Sequence, residues 1–234
     1  MPEDPIAAAE AEGRTTLTEA EAKSLLADAG IETPEFRVAA DADAAVDAAH
    51  DIGLPVVAKV SSPAVTHKSE WADGAGVAVG LDSADAVRDA AGAIFAAADA
   101  RDIEADVLVE EARDVDAGTE VIVGGLRDPS FGPVVLTGLG GIFTEVYEDT
   151  SHRIAPIDAA EARAAIEELT AAELLAGYRG SEPADVDALA DVVAAVGDLV
   201  TEHEAISEVD VNPVLATADG AVALDALVVL GGDE

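Results

Sequence analysis

Residues Glu208-Val209-Asp210-Val211-Asn212-Pro213 alternate polar and apolar, and no other stretch constrains the fold of this chain as tightly. A period of two puts Glu208, Asp210 and Asn212 on one face of a strand and packs Val209 and Val211 on the other. Pro213 has no N–H to give to a ladder, so pairing is expected to be interrupted just after Asn212. Asp219-Gly220 supplies a hairpin turn, and Ala221 to Val229 reads as a returning strand that carries Asp225. The Asn212 amide oxygen and the Asp225 carboxylate then project from neighbouring strands in a region rich in Val, Leu and Ala. Hard oxygen donors so placed suit Mg²⁺, which commonly takes one or two protein ligands and leaves its other positions to nucleotide phosphates. A sheet edge protected by solvated charges would read the same way.

Whether a chain this acidic can build such a sheet is a question of composition. It carries 12 Lys and Arg against 49 Asp and Glu over 234 residues, a net charge of −37, yet half of its residues are hydrophobic. That is ample material for a core and excludes a disordered acidic tail. The acids are spread between apolar positions, the pattern of a solvated surface. It is expected of a salt-adapted cytoplasmic protein, where high ionic strength screens self-repulsion. Such a surface repels nucleic acid and anionic lipid, so neither is expected as a partner. With no cysteine, disulfides and thiolate chemistry are excluded. No basic segment followed by an apolar run opens the chain, so no secretory signal is expected. No apolar stretch approaches the roughly 20 residues that span a bilayer.

Along the chain, Met1 to Thr16 reads as a loose acidic arm. Thr18 and Glu21 form a capping box, with Leu17 as a staple, for a helix striped by Ala22, Leu25, Leu26 and Ala29 and stopped by Gly30. Ile31 to Val38 is extended, Asp43 to Ile52 helical, and Pro55 to Val60 a buried strand. Ser83 caps a helix with Val87, Ala90, Ala91 and Ile94 on one face. Asp106 to Glu111, Glu120 to Gly125 and Pro133 to Thr137 are short apolar strands. Asp158 with Glu161 opens one further helix, and Pro183 with Asp185 the last, striped by Leu189, Val192, Val193, Val196 and Val200. Strands are not strictly separated by helices, so an α+β arrangement of two sheets is expected rather than a doubly wound parallel sheet. The division falls near Asp106 to Glu111, giving lobes over 17–106 and 107–234.

Several residues are candidates for chemistry. Lys59 lies in the run Leu54-Pro55-Val56-Val57-Ala58-Lys59-Val60, and a lysine buried there needs an anionic partner, either a nucleotide phosphate or a structural carboxylate. Val109, Glu110 and Glu111 end a strand whose edge could read an adenine, with an acid just beyond for ribose hydroxyls; Glu120 carries the same ambiguity. Thr137 to Glu145 is a Gly-rich segment in which Gly138, Gly140 and Gly141 permit close backbone approach and expose N–H groups to a phosphate or carboxylate. It is neither a Walker A nor a dinucleotide sequence. His67, next to Lys68 in a loop, could take or stabilise a phosphoryl group, or be a surface histidine. Arg153 could hold a phosphate or serve as a counter-charge.

In order, these segments resemble the ATP-grasp fold, and more narrowly the beta subunits of ADP-forming acetyl-CoA synthetases (acetate–CoA ligase, ADP-forming). The resemblance runs from about Leu17 to Val229. It rests on Leu17-Thr18-Glu19-Ala20-Glu21-Ala22-Lys23, Pro55 to Lys59, Ser62-Pro63 with His67-Lys68-Ser69, Arg127-Asp128-Pro129-Ser130-Phe131-Gly132-Pro133-Val134, Gly138 to Phe143, Tyr178-Arg179-Gly180 and Asp210-Val211-Asn212-Pro213. The segments His67 to Val77 and Arg113 to Gly118 are longer than the family pattern. The resemblance implies two lobes clamping ATP or ADP with Mg²⁺: Lys59 at the phosphates, Val109 to Glu111 at the adenosine, Asn212 and Asp225 on the metal. The family converts acyl-CoA, ADP and phosphate reversibly into acid, CoA and ATP through a phosphohistidine. The primary phosphohistidine and the CoA site belong to an alpha subunit, in a heterotetramer. His67 matches a second histidine that ferries the phosphoryl group between the subunits' sites, and Asp210 resembles the acid that, in the related succinyl-CoA synthetases, helps orient the incoming phosphohistidine. A succinyl-CoA synthetase-type or other ATP-grasp ligase, and a nucleotide-sensing regulatory module, are the alternative expectations.

Overall fold

A computed structural model describes residues 4–140, 149–177 and 182–231. Gly141 with Ile142-Phe143, and Tyr178-Arg179-Gly180, lie outside the described residues. In chain order the elements are α1 (Pro5–Ala11), α2 (Glu19–Asp28), β1 (Phe36–Ala39), α3 (Ala42–Ile52), β2 (Val56–Ser61), β3 (Val77–Leu81), α4 (Ala84–Asp99) and β4 (Asp106–Glu111). Then come β5 (Thr119–Asp128), β6 (Gly132–Leu139), β7 (Thr150–Ile154), α5 (Ala159–Glu167), α6 (Val186–Glu202), β8 (Ile206–Thr217), β9 (Gly220–Ala223) and β10 (Ala226–Leu230). The expected α+β architecture of two sheets is what the chain adopts.

The chain forms two compact units: Met1–Leu17 with Glu21–Thr33 and Asp114–Glu234, and Thr18–Ala20 with Pro34–Arg113. The boundary expected at residue 106 is therefore misplaced. β4 is an interior strand of the smaller unit, whose antiparallel sheet runs β1-β4-β2-β3. In that unit α3 and α4 start where Asp41 and Ser83 accept the backbone N–H groups of Ala44 and Ala86. Ala45, Ala49, Val87, Ala91 and Ile94 bury against Val56, Ala58, Val60, Val107 and Val109. Alternation then turns Lys59, Leu108 and Glu110 to the opposite face of the sheet. Strand β3 was not foreseen, because Gly80, at φ +66°, breaks its short apolar run.

The larger unit has an antiparallel sheet in the order β10-β8-β5-β6-β7, with β9 also pairing β8. Val121, Val123, Val135, Val209 and Val211 bury with the apolar stripe of α6. Of the arm expected over residues 1–16, the described part from Asp4 onward is no loose segment. Asp4 caps α1 through Ile6 and Ala7, and Ile6 and Ala9 join the same core as Leu25 and Leu26 of α2. Glu21 is gripped by both terminal nitrogens of Arg14 at 2.9 Å. Pairing is interrupted at Asn212-Pro213 as expected: the register with β5 shifts between Val211 and Val214, although the strand itself continues. The returning segment splits there: Leu224 N–H donates to Pro213 O (2.9 Å) and Asn212 N–H to Asp225 O (3.3 Å) between β9 and β10. Arg127 donates to the carbonyls of Val200 and His203 at the end of α6, and Asp128 accepts from Ser130 and Phe131, which makes the Arg127–Phe131 motif a structural one.

Candidate functional site

In the larger unit, Asp210, Asn212 and Asp225 share the sheet face opposite α6. Val211 pairs with Ala226, so the next position inward sets Asn212 opposite Asp225, and their backbones are bonded there. Asp225 Oδ1 accepts from the N–H of Ala226 at 2.8 Å, which fixes the carboxylate's orientation. Asp210 lies between Gly124 of β5 and Leu227 of β10, half-buried, with no side chain from Gly124 to crowd it. An amide oxygen and a carboxylate on opposed positions are donors of the type Mg²⁺ takes. Among the described residues no three His, Asp or Glu side chains gather into a complete cage. The donor set thus fits an ion that draws its remaining ligands from phosphate and water.

The glycines are more committed than expected. Gly138 lies inside the ladders of β6 with β5 and β7, opposite Ile122 and Thr150. Gly140 gives its N–H to Glu120 O at 2.7 Å. A Cβ on Gly140 would stand 2.9 Å from Glu120 Cβ and 3.0 Å from that carbonyl oxygen. The bare N–H groups predicted there are, at Gly140, spent on Glu120, so Glu120 acts here through its backbone. Arg153 is a counter-charge to Glu168 at 2.7 Å. The guanidinium's hydrogen bond and charge hold the Glu168 carboxyl below the usual carboxylate range.

In the smaller unit, Lys59 is buried between two carboxylates, its Nζ 2.8 Å from both Glu19 Oε1 and Glu110 Oε1. Lys68 Nζ reaches Glu19 Oε2 at 3.2 Å. The anionic partner that a buried Lys59 needs is supplied by Glu19 and Glu110. Glu19 was given no role from the sequence, and Lys68 was noted only as the lysine flanking His67. The free strand edge expected at Val109, Glu110 and Glu111 is absent: β4 pairs with β1 on one side and β2 on the other. Val109 has its side chain in the core and Glu110 binds Lys59, which leaves Glu111, half-buried at the strand end beside Arg113. His67 is exposed at a turn, its carbonyl accepting from Glu70 and Trp71.

The model of the ATP-grasp domain matches residues 8–230. The beta subunit of acetate–CoA ligase [ADP-forming] I from Pyrococcus furiosus is 43% identical over 96% of both chains. A longer relative, acetate–CoA ligase [ADP-forming] I from Archaeoglobus fulgidus, is 41% identical over 91% of this chain, which spans 30% of it. The solved acetyl-coenzyme A synthetase 1 of Candidatus Korarchaeum cryptofilum, in complex with coenzyme A and Ca-AMPCP, superposes with a TM-score of 0.90 at 39% identity, over 97% of this chain and 98% of that one. Fold and site thus define an ATP-grasp protein. Within that class, the chain belongs to the family of beta subunits of ADP-forming acetate–CoA ligases. Among the described residues no helix is long and apolar enough to cross a membrane.

Proposed function

We propose that this chain is the nucleotide-binding subunit of an ADP-forming acyl-CoA synthetase. With an alpha subunit bearing the CoA site and the primary phosphohistidine, it converts acyl-CoA, ADP and phosphate reversibly into acid, CoA and ATP. The observation that carries the reading is the opposition of Asn212 to Asp225 across β8 and the start of β10, two hard oxygen donors on the sheet face away from the core. Full-length likeness to beta subunits supports it. A succinate–CoA ligase beta subunit from Halobacterium salinarum is less similar, 35% identical with 55% of its length covered, which favours the acetate-type assignment.

Asn212 and Asp225 would hold Mg²⁺, which when bound offsets charge on the nucleotide phosphates and on the transferring phosphoryl group. Asp210, two positions before Asn212 on the same face, accepts a hydrogen bond from the incoming histidine and orients it. Lys59, fixed by Glu19 and Glu110, sets positive charge toward the phosphates, and Glu111 takes the ribose hydroxyls. His67 accepts the phosphoryl group from the alpha subunit's phosphohistidine, breaking that P–N bond as its own forms, and passes it to a terminal phosphate oxygen of ADP, where the second P–N bond breaks as the P–O bond of ATP forms. A cytoplasmic heterotetramer is the assembly this reading entails. The net charge of −37 suits a salt-rich cytoplasm. Calorimetric titration of the purified chain with ADP tests the site. Binding is expected to need Mg²⁺ and to weaken roughly tenfold or more in Asp225→Ala; affinity indifferent to both would refute the metal assignment.

A further inference from the structure

His67 and Lys68 are consecutive, yet one side chain is exposed and the other buried. The turn that carries them is fastened within the smaller unit from three directions. Lys68 Nζ meets Glu19 Oε2 at 3.2 Å, inside the unit. The Lys68 carbonyl lies so close to Gly76 that a Cβ there would stand 2.2 Å from its oxygen. Trp71, whose N–H donates to His67 O at 3.1 Å, has the Arg101 guanidinium 5.5 Å from its ring centroid. The Glu19 carboxylate whose Oε2 is ion-paired with Lys68 accepts a hydrogen bond from Lys59 on Oε1, at 2.8 Å.

We infer that Glu19 and Lys68 are a positioning pair that locks the His67 turn and ties its placement to that of Lys59. The inference rests on the reading of His67 as a phosphoryl carrier. A group that passes a phosphoryl must be presented in one geometry, because displacement by about 1 Å costs on the order of a hundredfold in rate. A surface turn does not hold such geometry alone. Burying the adjacent lysine does, since its ammonium is stable there only against a carboxylate. The shared carboxylate means that the charge set toward the phosphates and the histidine that brings the phosphoryl are aligned by one group.

Trp71 is the chain's only tryptophan, so its fluorescence reports on this turn without any ligand. In the full chain, Lys68→Met is expected to raise acrylamide quenching of Trp71 roughly twofold and to shorten its anisotropy decay, and Lys68→Arg to restore both. Glu19→Gln, which keeps the volume, is expected to act in the same direction and serves if Lys68→Met does not fold. In the enzyme reconstituted with its alpha subunit, Lys68→Met should lower kcat about tenfold or more while KM for ADP changes less than about twofold. Unchanged Trp71 quenching in folded Lys68→Met or Glu19→Gln would overturn the inference. Retained turnover in His67→Ala would instead remove the carrier reading, leaving a tether visible in Trp71 alone.

Discussion

Lys59 Nζ lies 2.8 Å from Glu110 Oε1 across adjacent strands, a diagonal contact, since the residue directly opposite Lys59 is Leu108. The pair exists because β2 and β4 both turn alternate residues away from the helices, and two such positions carry opposite charges in an otherwise apolar setting. Both side chains are nearly inaccessible, at 8% and 4% exposure, so neither charge is tolerable alone.

Glu110→Gln keeps the shape and removes the charge. It is expected to destabilise the chain by roughly 2–5 kcal/mol, the range for breaking a buried ion pair by losing one partner. Denaturant unfolding of both proteins measures the difference. A loss below about 1 kcal/mol would mean that Glu19 alone satisfies the lysine.

Gly140→Ala places a methyl group against the Glu120 carbonyl that accepts the Gly140 N–H. Because the neighbour is backbone, relief requires the strand end to move. The expected cost is about 1–3 kcal/mol, read from thermal unfolding, with a matching loss of nucleotide affinity.

Two carboxylates make stability depend on acid. Burial works to raise the Asp149 carboxyl, but the N–H groups of Thr170 and Ala171, at 2.8 and 2.9 Å, outweigh it and hold the group below its usual range. Glu168 is held low by Arg153. A depressed folded-state value gives stability that is present above the unfolded pKa and lost as pH falls through the folded one. The gap between wild type and Asp149→Asn should therefore be widest at neutral pH, begin to narrow as pH falls past roughly 4, and close only below the depressed folded-state value. Denaturant unfolding at fixed ionic strength across that range is the check; a constant gap would contradict the assignment.

Much of the fold was legible because its elements announce themselves locally. Ser83, Asp158 and Asp185 each cap the helix expected of them, and Asp106–Glu111 is a strand with the bounds read from its sequence. What was missed is what only partners decide. Pro5–Ala11 is too short and alanine-rich to show a stripe, and it is ordered by burying Ile6 and Ala9 in a core built elsewhere in the chain. The run Val107-Leu108-Val109 reads equally well as an edge or an interior strand, and the pairing of β1 with its outer side makes it interior. The oxygen donors Asn212 and Asp225 were visible from alternation, while Glu19 was not. Its role depends on Lys59, forty residues away, lying within 2.8 Å.

The central claim, that this chain supplies the nucleotide half of a two-subunit synthetase, is tested most directly by reconstitution. Acetyl-CoA, ADP and phosphate are incubated in high salt with the purified chain, with a purified alpha subunit, and with both, and ATP is measured. ATP formed only by the mixture is the result the account predicts. ATP formed by this chain alone, or none by the mixture, would contradict it.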